Sequence, residues 1–436
     1  MLFRRKTAKP AARRFQKRPD PAMMDTAIPR TRLPVDMVEI GMRIIKLDRP
    51  WTEVPLLFQG FVVDTPDQIQ TLRHYCHWVL VEGDPKRLAI IDERLEALNR
   101  KVNQPLPELR SLKQELPKAK AAYGQTQDFV DRILSDIEAD RELDFSDAKP
   151  LIHNCVQSIQ SNANAMFWMA RIKSQDAYTA EHCLRVAIYA IAFGRFLGMP
   201  QEDLQVIGLC GLLHDIGKLK VPAGILNKPG PLTADEMAEM QRHTEFGYQL
   251  LQSHHQLEPI VADVTRHHHE RIDGKGYPHR LDEWQISRFA RIVAIVDAFD
   301  AMTSDRCYRE GIPSSEAMRE LYRGRGEQFD ANMIEAFIRM VGIYPAGTLV
   351  ELSTGEVALV IAAHPGKKLR PRVEIILGAD KRGTVPYIID LAENPLDSEG
   401  RAYSIKQPLA DGAHGVSLGA RIGQVMAVSG HGAAGA

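Results

Sequence analysis

His214 and Asp215 stand side by side at the end of an apolar run that begins at Val206. A carboxylate has two oxygens and can bridge two cations, whereas an imidazole can take one. Lys218 follows three residues after Asp215, so a continuing helical turn would return its ammonium group to the same site, and Gly217 leaves room there. A lone His-Asp pair is more often structural than metal-binding, so the rest of the chain decides between the two interpretations.

Four other places in the chain supply residue types that bind metal ions. In chain order they are His182, His243, the run His267-His268-His269-Glu270, and Asp297, with helical patterning between them. Any one of these histidines, taken alone, is better explained as a structural residue with its hydrogen bonds satisfied. The ordered set is hard to explain in that way, and it predicts a metal site that several helices build together.

The spacing from His182 through His214 and Asp215 to Asp297 resembles the HD phosphohydrolase superfamily. A longer match narrows the resemblance to the HD-GYP family, and it reads His268-His269-Glu270-x-x-Asp273-Gly274-x-Gly276-Tyr277-Pro278. The resemblance covers roughly residues 35–420, and its motifs are most specific between residues 178 and 310. It implies a mainly α protein, in which a helical HD-GYP bundle is flanked by a small α+β N-terminal domain and a small β C-terminal subdomain.

The resemblance implies two divalent metal ions, and seven residues are expected to hold them. Asp215 is the expected bridge between the two ions. His182, His214 and Asp297 are expected to complete the ligands of one ion, and His243, His268 and His269 those of the other. Imidazole and carboxylate ligands without thiolates suit iron or manganese, and zinc, nickel or magnesium are the alternatives.

Two cations about 3.5 to 4 Å apart polarise a phosphoryl oxygen and lower the pKa of a bridging water to about 7, so that hydroxide attacks phosphorus in line. Asp215 and Lys218 are the expected catalytic residues, because Lys218 would offset the charge that grows on the phosphoryl oxygens. HD-GYP relatives hydrolyse cyclic di-GMP to linear pGpG, and in some cases on to GMP. The resemblance therefore implies a cyclic di-GMP phosphodiesterase.

The expected substrate contacts also come from the resemblance. It assigns phosphate and guanine contacts to Arg306 and Arg309, and arginine suits bidentate contacts of this kind. Lys218 and three residues of the glycine-rich loop are expected to contact the substrate as well: Gly276, Tyr277 and Pro278. Position 307 is Cys307, where many relatives have proline, and the exact geometry of that loop is therefore left open.

The number of metal ions is predicted from residue 178, where this chain differs from relatives that hold three metals. Relatives with three metals carry a glutamate four residues before the first histidine, and this chain has Tyr178 there. Glu181 is only one residue before His182 and is expected to point elsewhere. We therefore expect a two-metal site, with pGpG as the main product and slow or absent conversion to GMP.

The composition is typical of a globular protein, and 436 residues predict two or three domains. The net charge of −1 gives no global field that would favour nucleic acid. The five cysteines form no Cys-x-x-Cys pair, no apolar run approaches the roughly 20 residues of a membrane span, and no signal peptide is visible. These features predict a cytoplasmic protein without a membrane span, and a homodimer is left open.

The chain divides into five predicted segments: a disordered basic tail (1–32), an α+β domain with its linker (33–125), the helical HD-GYP domain (126–344), a small β subdomain (345–424) and a disordered tail (425–436). The second segment resembles the small domain of unknown function that often precedes HD-GYP domains. It has strand patterns at 38–42, 58–63 and 78–82, and a helix that residues 65–68 open, with Thr65 or Asp67 as its cap. A receiver domain is the rival interpretation, but no acidic pair follows a first strand.

Within the helical domain, helices are expected from Gln127, over 148–173, after Pro200 and over 291–302. Thr233 and Glu236 have the spacing of a capping box. Residues 273–278 must form a loop, because two glycines and a proline within six residues oppose a helix. Three strands are expected after this domain, at 349–352, 357–361 and 373–377.

Two other functions remain open at the level of sequence. One is an HD-type hydrolase that acts on a mononucleotide, which the glycine-rich loop disfavours. The other is a catalytically weak module that contacts diguanylate cyclases of the GGDEF type. The complete set of ligand residues argues against the second, because a pure interaction domain would be free to lose them.

Overall fold

The computed structural model describes residues 30–48, 54, 61–76, 78–82, 106, 108–172, 178–283, 285–305, 311–364 and 366–430. An N-terminal sheet, a helical bundle and a C-terminal sheet follow one another along these residues, which confirms the predicted mainly α class. Among the residues described, no helix combines the length and apolar character that a membrane crossing requires.

The N-terminal domain is a four-stranded antiparallel sheet in the order β1-β4-β2-β3, with one helix and a hydrophobic core of its own. Its elements are β1 (Arg30–Pro34), β2 (Arg43–Leu47), β3 (Phe61–Val62), α1 (Pro66–Tyr75) and β4 (Trp78–Glu82). The predicted helix and the strand at 78–82 are confirmed, and Thr65 caps α1 in a capping box with Gln68.

Two predictions for this domain are wrong. The strand expected at 38–42 is absent, because a turn at Gly41, with φ of 86°, ends just before β2. The predicted disordered tail extends to residue 32, whereas β1 already begins at Arg30 and pairs with β4. Of the strand expected at 58–63, only Phe61–Val62 is a described strand, and residues 58–60 lie outside the described residues.

The helical bundle begins with two long helices that form one hydrophobic core with the helices after them. The first, α2 (Leu112–Glu138), has a capping box between Ser111 and Gln114 and contains Pro117. The stretch up to residue 125, expected to be a linker with partial helix, is therefore continuous helix from Leu112 onward. The second, α3 (Ala148–Ala170), is kinked at Asn162, where φ and ψ are −162° and 100°.

Nine more helices are described in the bundle, and the predicted metal-ligand residues lie in some of them or shortly after their ends. These helices are α4 (Tyr178–Phe196), α5 (Gln201–Leu213), α6 (Ala223–Leu226), α7 (Ala234–Gln241), α8 (His243–Leu251), α9 (Pro259–His267), α10 (Arg288–Thr303), α11 (Ser314–Arg323) and α12 (Ala331–Val341). The capping box of Thr233 and Glu236 is confirmed at the start of α7. A 3₁₀ turn, Ile216–Lys220, follows α5.

A close approach between α4 and α5 brings two of these residues together. A Cβ atom at Gly211 would lie 2.8 Å from the Cα atom of Ala187, so only glycine lets the two helices pack at this distance. His182 lies on α4, and His214 directly follows α5. The packing of these two helices therefore sets the separation of the two imidazoles.

The C-terminal region is a five-stranded antiparallel sheet in the order β8-β7-β6-β5-β9. Its strands are β5 (Leu349–Leu352), β6 (Val357–Ala362), β7 (Arg372–Leu377), β8 (Gly383–Asp390) and β9 (Ile405–Leu409), and the first three confirm the predicted strands. A final helix, α13 (Leu418–Gly430), packs on α2, so the disordered tail predicted from residue 425 is wrong as far as Gly430.

Candidate metal centre

The structure brings all seven predicted ligand residues together in the helical bundle. They form two groups that share Asp215, and the ligand atoms within each group lie within 4.8 Å of one another. One group contains His182, His214, Asp215 and Asp297, and the other contains Asp215, His243, His268 and His269. This is the grouping that the sequence predicts, and the residues' role as metal ligands remains a prediction.

Asp215 lies between two pairs of imidazoles. Its Oδ2 atom is 3.3 Å from Nε2 of both His182 and His214. Its Oδ1 atom is 3.5 Å from Nε2 of His243 and 3.6 Å from Nε2 of His268. Each carboxylate oxygen therefore faces a different pair, as a carboxylate that bridges two cations must.

Asp297 and His269 complete the two groups. Asp297 lies on α10, and its Oδ1 atom is 3.3 Å from Nε2 of His182 and 3.7 Å from Nε2 of His214. His269 follows α9, and its ring centroid is 4.0 Å from that of His268 and 5.1 Å from that of His243. The groups therefore differ in composition, with two carboxylates in one and three imidazoles in the other.

Hydrogen bonds at Nδ1 orient four of the histidines. His214, His243 and His268 each donate Nδ1–H to the backbone carbonyl three residues earlier in the chain, at 2.8 Å. His182 has Oδ2 of Asp300 at 2.7 Å from its Nδ1. A neutral imidazole that carries its proton on Nδ1 has its lone pair on Nε2, so every ring presents a ligand atom to Asp215.

The buried polar atoms of this centre fit a pair of cations. Nε2 of His214, His243 and His268 and Oδ1 of Asp215 are buried and have no hydrogen-bond partner among the described residues. A buried polar atom without a partner costs free energy, and four such atoms that converge on one small volume fit a site built around cations. Imidazole and carboxylate donors suit iron, manganese, zinc or nickel, and they do not select one of these.

The protonation of the histidines differs between the two groups. Burial lowers the pKa of His243 to about 3, and it also lowers the pKa of His268 and of His269, so these imidazoles are neutral at pH 7. Burial acts in the same direction on His214, but the neighbouring carboxylates, Asp215 first, raise its pKa to about 9. A metal-binding imidazole must be deprotonated. A cation bound there would therefore take the place of the proton on His214 as the partner of the carboxylates.

The 3₁₀ turn after α5 places Lys218 at the centre. Its Nζ atom is 2.5 Å from Oδ2 of Asp215, and a quarter of its side chain stays exposed. A Cβ atom at Gly217 would lie 2.0 Å from the carbonyl oxygen of His243 and 2.4 Å from the amide nitrogen of Gly247. The absent side chain at Gly217 therefore lets α8 pack directly on this turn.

The glycine-rich loop covers His269. Residues 273–278 form the predicted loop, and the Tyr277–Pro278 peptide bond is cis. The ring of Tyr277 stacks on the ring of His269, with centroids 4.7 Å apart and an interplanar angle of 30°. A Cβ atom at Gly276 would lie 2.4 Å from the amide nitrogen of Arg271, so glycine is required for the loop to return to this position.

Some predicted residues cannot be placed. Arg306 and Arg309, the expected substrate contacts, lie outside the described residues, as does Cys307. Tyr178 is the first residue of α4, but its side chain is not among those described. Glu181 contacts Arg185, with Oε2 3.2 Å from Nη1 of the guanidinium group.

Comparison with known families divides the chain into three parts. An HD domain matches residues 156–333. A domain of unknown function, DUF3391, matches residues 30–148, and a KOW domain associated with HD domains matches residues 349–396.

A full-length comparison decides the family. The cyclic di-GMP phosphodiesterase PA4108 of Pseudomonas aeruginosa is 34% identical over 368 residues, which cover 83% of this chain and 88% of the relative. The chain belongs to the HD-GYP family. Other relatives match a smaller share of the chain. The response regulator RpfG of Xanthomonas campestris, named a cyclic di-GMP phosphodiesterase, is 39% identical over 38% of this chain and 45% of its own length. The 3'3'-cGAMP-specific phosphodiesterase 2 of Vibrio cholerae is 34% identical over 38% of this chain and 32% of its own length.

The HD-GYP centre has supporting residues that the sequence reading missed. Asp300 is buried, and although burial opposes its ionisation, Arg185 and His182 lower its pKa to about 2. Asp300 lies three residues after Asp297, and Arg185 lies three after His182, so helical spacing alone would have placed both beside ligand residues.

Glu270, within the HD-GYP motif, is the third residue that the sequence reading missed. Its buried carboxylate accepts hydrogen bonds from the amides of His279 at 2.6 Å and Leu281 at 3.0 Å. It therefore holds the chain that leaves the glycine-rich loop. No spacing rule would have identified this contact.

Proposed function

We propose that this HD-GYP protein is a phosphodiesterase that hydrolyses cyclic di-GMP with two divalent cations. The observation that carries the proposal is the position of Asp215, whose two oxygens face two separate pairs of imidazoles. The named activity of the Pseudomonas relative, which matches 83% of this chain, supports the same substrate.

In this proposal the two groups that share Asp215 hold one cation each, with iron or manganese expected. Two adjacent divalent cations polarise a phosphoryl oxygen and make water a nucleophile near neutral pH. The ligand residues are those of the two groups: His182, His214 and Asp297 on one side and His243, His268 and His269 on the other.

The protein's own residues bind and orient the diester. Lys218 touches Asp215 and is partly exposed, and we assign its ammonium group a contact with a phosphoryl oxygen that approaches from solvent. Tyr277 lies against His269 and offers an aromatic surface at the edge of the centre. Arg306 and Arg309 are the proposed contacts to phosphate and guanine, since each guanidinium group can form two parallel hydrogen bonds.

The proposed main product is linear pGpG. Tyr178 supplies no carboxylate for a third cation, because a phenol has a pKa of about 10 and stays protonated near pH 7. Linear pGpG carries a 5′ phosphate monoester with roughly one more negative charge than the diester that was cut. Holding it for a second cut is harder without an extra cation, so conversion to GMP should be slow.

A substrate panel tests this function. Protein purified without oxygen, with its metal content measured, is incubated with cyclic di-GMP, 3'3'-cGAMP, pGpG and a cyclic mononucleotide. We expect cyclic di-GMP to be cut fastest and pGpG to accumulate. Faster cleavage of 3'3'-cGAMP would assign the substrate of the Vibrio relative instead.

A protein that binds two cations and cuts none of these substrates would favour the alternative, contact with GGDEF cyclases. The cytoplasmic location and the homodimer also remain predictions.

A further inference from the structure

His182 is held differently from three other ligand candidates. Its Nδ1 atom lies 2.7 Å from a carboxylate oxygen, Oδ2 of Asp300. The other three donate Nδ1–H to backbone carbonyls at 2.8 Å: His214, His243 and His268. A carboxylate is a stronger acceptor than a carbonyl, so it makes the opposite nitrogen, Nε2, more basic and a better metal ligand.

Asp300 is itself fixed by a buried network. It is only 2% exposed, and Arg185 donates to both of its oxygens, from Nε at 2.7 Å and from Nη2 at 3.1 Å. The hydroxyl group of Ser304 donates to Oδ2 at 3.2 Å. These contacts prevent the carboxylate from turning away from the ring of His182.

The two metal-ligand groups also differ in charge. The His182 group contains two carboxylates, Asp215 and Asp297, whereas the His243 group contains Asp215 alone. Lys218 touches Oδ2 of Asp215, the oxygen that faces His182 and His214, so its ammonium group offsets part of this charge difference. The additional carboxylate and the more basic imidazole lie on the same side, and both favour a cation there.

We propose that the Arg185–Asp300 pair is a positioning device that makes the two metal positions unequal. The cation held with His182 binds first and more tightly, and Asp300 sets the difference between the two affinities. This inference rests on the two-cation centre proposed above. It adds an order of binding and a residue that controls it.

A metal titration tests the inference without any measurement of turnover. Metal-free full-length protein is titrated with Mn²⁺ in competition with a chromophoric chelator, and the wild type should show a tight step and a weaker step. Asp300→Asn should weaken the tight step by about 10- to 100-fold and leave the weaker step unchanged. Asp263→Asn is the matched control, because it removes a carboxylate 3.0 Å from Nδ1 of His267, a histidine outside both groups. Both affinities should stay at the wild-type values in this control.

A second pair of variants keeps the test decisive if Asp300→Asn does not fold, since that change leaves Arg185 buried with a weaker partner. His243→Ala should retain the tight step, and His182→Ala should lose it. A wild-type protein that binds fewer than two Mn²⁺ ions would overturn the two-cation centre itself. Two equal affinities, or equal behaviour of Asp300→Asn and Asp263→Asn, would overturn this inference and leave the centre intact.

Discussion

Gly217 is the residue at which one added methyl group should damage the metal centre most directly. Its Cβ atom would lie 2.0 Å from the carbonyl oxygen of His243 and 2.4 Å from the amide nitrogen of Gly247. Both are backbone atoms, and ordinary contact begins at about 3.5 Å, so Gly217→Ala must move α8 by more than about 1 Å. His243 is the first residue of α8, and its imidazole would move with the helix.

The expected size of the effect follows from this displacement. A misplacement of about 1 Å at a catalytic centre can cost roughly 100-fold in rate, and overpacking typically costs about 1–3 kcal/mol of stability. We therefore expect kcat/KM for cyclic di-GMP to fall by about 100-fold and the free energy of unfolding to fall by about 1–3 kcal/mol. Metal analysis should show a selective loss of the ion held by His243.

Gly224→Ala is the matched control for this prediction. Gly224 lies in α6, seven residues further along the chain, and a Cβ atom there would meet no atom within 4 Å. Alanine is also a better helix former than glycine, so stability should not fall. The steric reasoning is refuted if Gly217→Ala and Gly224→Ala have the same turnover, metal content and unfolding midpoint.

Four further predictions test other parts of the centre. Tyr277→Phe should keep the ring that stacks on His269 and retain most activity. Tyr277→Ala should weaken the contact with the His269 ring by about 0.5–1.5 kcal/mol and lower kcat/KM. Equal kinetics for the two variants would show that the ring has no such role. Arg306→Ala should raise the KM for cyclic di-GMP more than it lowers metal content, and a variant with normal KM but missing metal would reverse that assignment. Removing metal with a chelator should lower the unfolding midpoint. The reason is that a ligand at 100 times its Kd stabilises the folded state by about 2.7 kcal/mol per site. A midpoint that does not change would argue against bound metal. Tyr178→Glu should increase the fraction of GMP among the products, and wild-type protein with two metals that forms GMP without accumulating pGpG would contradict the product assignment.

Much of the fold follows from local sequence signals, and the wrong predictions have identifiable causes. The capping box of Thr233 marks a helix start correctly, and Thr65, one of two expected caps, does so as well, because the side chain and the backbone satisfy each other's hydrogen bonds. The start of α2 was missed because Pro117 reads as a helix breaker, although the Ser111 capping box precedes it. Strand β8 was missed because Pro386 lies within it and residues 383–388 are exposed, so no buried face marks it as a strand.

The candidate site shows where sequence reasoning succeeds and where it stops. The HD-GYP resemblance names all seven residues of the two groups, and residue type alone would not have separated His268 and His269 from His267. The sequence does not show which oxygen of Asp215 faces which imidazoles, because that depends on the packing of α4, α5, α8 and α9. Helical spacing could have identified Asp300 as a neighbour of a ligand residue, whereas the contacts of Glu270 depend on the path of a loop.

We propose that the Asp215 carboxylate holds two cations that together hydrolyse cyclic di-GMP. The most direct test compares wild-type protein with Asp215→Ala, both purified without oxygen, and measures metal content and cyclic di-GMP turnover in the same samples. We predict two metals per chain and formation of pGpG for the wild type, and loss of both metals and turnover together for the variant. An Asp215→Ala protein that keeps two metals per chain and near-normal turnover would contradict the account.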